Sequence, residues 1–196
     1  MDDASSRRSA IVVVSGLPRS GTSLMMSMLE AGGLELLTDG ARKADPDNPN
    51  GYFEFERVKG LECGDHTWLD EAEGKAVKII SALLEHLPPA REYNVIFMNR
   101  RLAEVVASQD KMLARQGQPS NPKDRDRISE LLQKHLLRVH GWLAAQANTR
   151  TLDVDYNELL EDPWPQIEQV NGFLGGGLNL ERMADVVLPN LYRNRA

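Results

Sequence analysis

Apolar and polar positions follow two regimes along the chain. Short runs with apolar residues at most or alternate positions occur at 10–14 (Ala-Ile-Val-Val-Val), 76–80, 93–98 and 151–155. Runs this short, rich in β-branched residues, predict strands buried on both faces. Between them, apolar residues recur every three or four positions, the period of a helix. Leu102, Val105, Val106, Met112 and Leu113 predict a helix over 102–116, stopped by Gly117 and Pro119. Ile128, Leu131, Leu132, Leu136, Val139, Trp142 and Leu143 predict another over 128–147, with His135 on the same face as a satisfied, half-buried side chain. Further helices are expected over 21–30, ended by Gly32 and Gly33, over 52–63, from Pro163 to the glycines at 175–177, and near 180–187. Dense turn residues make 38–51 a loop, and alternating charges make 121–127 another. Strands separated by helices predict an α/β domain of three layers, α/β/α, on a parallel sheet of four or five strands.

Composition narrows this little. The 196 residues suit one domain with its own core, over 10–196, behind a polar tail at 1–9. The formal net charge of -6 argues against a nucleic-acid binder, yet permits a local basic pocket. The single cysteine, Cys63, allows no internal disulfide. No run is long enough to span a membrane, and a cytoplasmic protein is expected.

The chemistry concentrates in Ser15-Gly-Leu-Pro-Arg-Ser-Gly-Thr-Ser23, between the first strand and the first helix. A strand, a turn bearing Gly16 and Gly21, and a helix start present backbone N–H groups to an anion, with Thr22 and Ser23 adding hydroxyls. The spacing is that of a P-loop, but Thr22 stands where the usual lysine would be, and the cation is Arg19 instead.

Pro18-Arg-Ser-Gly-Thr-Ser23 resembles the phosphosulfate-binding loop of sulfotransferases that use 3'-phosphoadenosine 5'-phosphosulfate (PAPS). The Asn-Pro-Asn-Gly-Tyr-Phe-Glu stretch ending at Glu54 is similar to one in bacterial members of that family. Near the other end, Val154 to Pro163 is similar to the family's segment after its last main strand. The resemblance implies a P-loop NTPase-like fold and sulfuryl transfer from PAPS to a hydroxyl or amine. The implied acceptor is a small molecule, carbohydrate or lipid, and no metal takes part. Pro18, Arg19, Ser20, Gly21, Thr22 and Ser23 would hold the 5'-phosphosulfate. The family places an Arg at the end of a strand and a Ser eight residues on, both on the 3'-phosphate; Arg100 and Ser108 match, with Arg101 as the alternative to Arg100. Arg193 would lie near the nucleotide.

Arg19 is the candidate for meeting charge on the bridging oxygen. Lys78 reads either as a second cation at the leaving group or as the solvated start of an edge strand. Glu54 is the first choice for the general base, with Glu56 and His66 as alternatives. Two rivals stand beside this reading. One is a kinase with Asp153 and Asp155 on Mg²⁺, and the other is a module that binds adenosine 3',5'-bisphosphate without turnover.

Overall fold

The computed structural model describes residues 10–40, 51–118, 121 and 124–187. Four strands form one sheet: β1 (Ile11–Gly16), β2 (Ala76–Lys78), β3 (Tyr93–Asn99) and β4 (Thr149–Asp155). Their spatial order is β2-β1-β3-β4, and every neighbouring pair is parallel. Residues 35–37 run along the outer edge of β2, where Leu37 N–H donates to Ala76 O at 2.8 Å and Ala76 N–H to Glu35 O at 2.9 Å. The expected parallel α/β architecture is present.

Strand periodicity divides the core in two. Val12, Val14, Ile96, Met98 and Val154 point to one face, against helix α1 (Thr22–Ala31) with its buried Met25, Met26 and Met28. Ile167 and Val170 of a later helix, Pro163–Phe173, and Met183 of Leu180–Val186 complete that layer. Ile11, Val13, Val77, Val95 and Phe97 point to the other face. There they meet Val58, Leu61, Trp68 and Leu84 from 3₁₀ segments, and Val139 and Leu143 from a long helix, Arg125–Ala145. The methionines are core residues, as expected.

In chain order the helices after α1 are α2 (Leu102–Arg115), α3 (Arg125–Ala145), α4 (Tyr156–Glu161), α5 (Pro163–Phe173) and α6 (Leu180–Val186). Four expectations need correction. The element after the loop is a 3₁₀ segment starting at Glu56, while 52–55 are not helical. Phe53 has φ 49° and Phe55 sits at φ -129°, ψ 107°, both outside the helical region, so no helix runs through them. The strand read over 76–80 ends at Lys78. The charged stretch 125–127 opens α3 instead of belonging to a loop. Finally, α4 was not foreseen: Asp155 caps it, with Oδ1 accepting from Asn157 N–H at 2.7 Å and Glu158 N–H at 3.0 Å.

The strand order decides where a ligand sits. The chain leaves β1 for β2 on one side, then returns to place β3 and β4 on the other. The connections after β1 and β3 therefore diverge, opening a crevice at the carboxyl ends of these central strands.

Candidate functional site

The turn after β1 enters that crevice. Its backbone is bent in ways few residues accept. Gly16 has φ 146°, Arg19 has φ 74° and Gly21 has φ 102°. Arg19 is a non-glycine residue in the left-handed region, a costly conformation that recurs at ligand-binding turns. A Cβ on Gly16 would lie 2.5 Å from Ser20 Oγ and 2.7 Å from Met98 O, so the turn folds hard against β3. A Cβ on Gly21 would lie 2.3 Å from the ring of Tyr156. The two glycines thus answer to packing inside the protein.

α1 begins at Thr22 with no side-chain cap, so its first N–H groups face the turn. Ser20 is 1% exposed, yet its Oγ has no hydrogen-bond partner. A buried hydroxyl without a partner, beneath open helix amides and curled over Gly16, suits a turn that takes an anionic ligand. Pro18 is exposed on the rim, while Arg19, Thr22 and Ser23 are partly exposed. The residues present fit a phosphosulfate group.

The strand-end segment comes to the same place. Arg19 Nε–H donates to Ser108 Oγ at 3.0 Å, tying the turn to α2. Arg100 Nη1–H donates to the backbone O of Arg19 at 3.0 Å. Arg100 Nε–H donates to Glu104 Oε2 at 3.0 Å, and its guanidinium lies 4.5 Å above the Tyr156 ring. The two neighbouring arginines are held differently: the Arg100 side chain is 6% exposed and that of Arg101 60%. Glu104 and Asn157 were missed in the sequence. Asn157 Nδ2–H donates to Glu104 Oε1 at 2.9 Å, and Asn157 Oδ1 accepts from Arg101 N–H at 3.4 Å. The signal available was Glu104 itself, a charge on an otherwise apolar helix face four residues after an arginine.

Lys78 ends β2, and its Nζ donates to the backbone O of Tyr52. It therefore anchors the 52–56 stretch at the mouth of the crevice. Glu54 lies in that stretch, partly buried, with its backbone O accepting from Thr38 Oγ1 at 2.9 Å and Asp39 N–H at 3.1 Å. Glu56 is exposed and pairs with Lys59 at 2.6 Å. His66 Nε2 lies 3.2 Å from the backbone O of His86, and a carbonyl only accepts, so Nε2 carries the proton. His135 Nε2 lies 2.8 Å from Ser81 Oγ, the satisfied arrangement expected of it. Asp155 is occupied as the α4 cap, and Asp153 accepts from Asn99 Nδ2–H at 2.7 Å. Among the described residues no three or more His, Cys, Asp or Glu side chains are grouped to hold a metal. Nor is any described helix long and apolar enough to cross a membrane. Arg193 lies outside the described residues, as do the expected tail at 1–9 and the loop core at 41–50.

The chain belongs to the sulfotransferase family, whose model matches residues 53–179. That match covers the Tyr156 and Arg100 segments and begins after the turn at 15–23. Two solved structures share the fold. Mouse sulfotransferase SULT7A1 complexed with PAP aligns with a TM-score of 0.57 at 16% identity, covering 92% of this chain and 63% of the mouse chain. A sulfotransferase domain from the curacin biosynthetic pathway aligns with a TM-score of 0.52 at 15% identity, covering 92% of this chain and 78% of the domain. The chain thus spans less than two thirds of the mouse protein. No curated protein matches it in sequence.

Proposed function

We propose that this chain moves a sulfuryl group from PAPS to the hydroxyl or amine of an acceptor. One observation carries the reading: the two anion-binding segments form a single hydrogen-bonded unit, Arg19 on Ser108 and Arg100 on the backbone of Arg19. A nucleotide phosphorylated at both ends needs two such clamps at a fixed separation. Family membership and a fold shared with a PAP-bound sulfotransferase support it.

The donor supplies an activated sulfur–oxygen–phosphorus linkage. The N–H groups of 19–23, with Thr22 and Ser23, hold its 5' end, and Arg100 or Arg101 with Ser108 holds its 3'-phosphate. Arg193 is proposed beside the nucleotide. The acceptor oxygen forms a bond to sulfur as the bond from sulfur to the bridging oxygen breaks. Arg19 stabilises the charge gathering on that oxygen. Lys78, at the carboxyl end of β2, is the second cation for it, and keeping the 52–56 stretch in place is compatible with that task. Glu54 takes the acceptor's proton. No step calls for a metal. The acceptor class remains a small-molecule, carbohydrate or lipid hydroxyl, and the setting is read as the cytoplasm of a bacterium.

A thermal-shift titration tests the reading. Adenosine 3',5'-bisphosphate is expected to raise Tm by several degrees, and ATP with Mg²⁺ by much less. A larger shift with ATP and Mg²⁺ would overturn it in favour of the kinase. Labelled PAPS with an acceptor panel then separates an enzyme from a binding module: Arg19→Ala should cut turnover at least about 100-fold, as removal of one such donor does.

A further inference from the structure

Glu104 is the anomaly of the site. Its side chain is fully buried, 0% exposed, at a place proposed to receive phosphate. A carboxylate there opposes an incoming anion, and burying it is costly unless its partners are well placed. Its partners are the clamp. Oε2 accepts from Arg100 Nε–H, and Oε1 accepts from Asn157 Nδ2–H and lies 3.8 Å from Arg101 Nη1. Asn157 turns its other side-chain atom, Oδ1, to the Arg101 N–H. Both are buried, and Asn157 is 2% exposed.

We infer that Glu104 and Asn157 are positioning residues for the 3'-phosphate clamp. From behind the β3–α2 junction they hold the Arg100 guanidinium and the Arg101 backbone, so that the Arg100 fork is oriented before a ligand arrives. Arginine suits this treatment. Its guanidinium is planar, so anchoring Nε on Glu104, Nη1 on Arg19 O and one face on Tyr156 leaves a single orientation for the Nη2 edge. Asn157 connects the fork to the last strand, because the Asp155 cap that orders α4 also sets the Asn157 backbone. The strut serves whichever of Arg100 and Arg101 meets the phosphate, since it touches both.

This inference rests on the proposal that a 3'-phosphate binds here. Its test therefore compares two ligands differing in that group alone, adenosine 3',5'-bisphosphate and adenosine 5'-phosphate, by calorimetry on the full chain. Wild type should favour the bisphosphate by about 10-fold to 100-fold, the worth of charged hydrogen bonds. Glu104→Gln keeps the size of the side chain but removes its charge. It should shrink that preference at least about fivefold while adenosine 5'-phosphate binds within about twofold of wild type. Asn157→Ala leaves the Glu104–Arg100 pair in place, so it tests the same idea if Glu104→Gln fails to fold; its preference should shrink too. A full preference in either folded variant overturns the inference, as does an equal loss of both ligands, which is what a merely structural role gives. If wild type shows no preference, it is the reading of the 3'-phosphate site that fails.

Discussion

Gly21 shows how one residue can answer two demands. Its φ of 102° suits the turn, and its missing side chain makes room for the Tyr156 ring. Gly21→Ala would put a methyl 2.3 Å from that ring in a conformation L-residues avoid. The expected cost is about 2–4 kcal/mol, from backbone strain plus forced repacking. Chemical denaturation measures it, and bisphosphate binding should weaken in the folded fraction. Gly16, pressed on Met98 O and Ser20 Oγ, follows the same logic. Both glycines were legible in the sequence as bends of the turn after β1. Their second role was not, because the ring and the carbonyl that exclude a side chain come from β3 and α4, far along the chain. The Arg19–Ser108 bond was hidden for the same reason. The family resemblance singles out Ser108 for the 3'-phosphate, but the donor it meets in the fold lies 89 residues away.

Among the elements, α3 departs most from its pattern. Its apolar stripe runs from Ile128 to Leu143, yet of these residues only Val139 and Leu143 are buried, and Leu131 is 57% exposed. Periodicity gives the side of a helix that is apolar, not how far the sheet beneath it reaches. One polar contact fastens its middle. Arg138 can only donate, so His135 Nδ1 accepts from it at 3.4 Å, and Nε2–H donates to Ser81 Oγ. Burial, helped by the Arg138 guanidinium and opposed by Glu85, holds the His135 imidazole below its ordinary value of 6.5. The unfolded chain then takes up a proton at higher pH than the folded one, so His135 withdraws stability as pH falls through 6.5. Melting curves between pH 7.5 and 5.5 should therefore fall more steeply for wild type than for His135→Gln. Equal slopes would show that the contact does not titrate with folding. The strands and α1, α2, α5 and α6 were legible because buried runs and caps are local. The 3₁₀ segment at 56–63 was not, since what holds it is the pairing of Phe55 with Trp68, at 5.4 Å between ring centres, and 38–40 lying across 54–56.

At the scale of the molecule, a chain of net charge -6 gathers arginines at one crevice because strand order, not composition, brings the ends of β1 and β3 together. The fold class was readable from alternating apolar runs and helical periods. The order β2-β1-β3-β4, which locates the crevice, was not, since a strand's own residues do not name its neighbour. The wedge of Tyr156 between Gly21 and Arg100 carries a consequence in time. The turn near the start of the chain takes its shape only when the residue after the last strand has docked against it, and contacts so distant in sequence close late. During refolding from denaturant, helical signal should return first and nucleotide capture last, in step with the slowest phase. Capture that ran ahead of β4 would mean the turn shapes itself unaided.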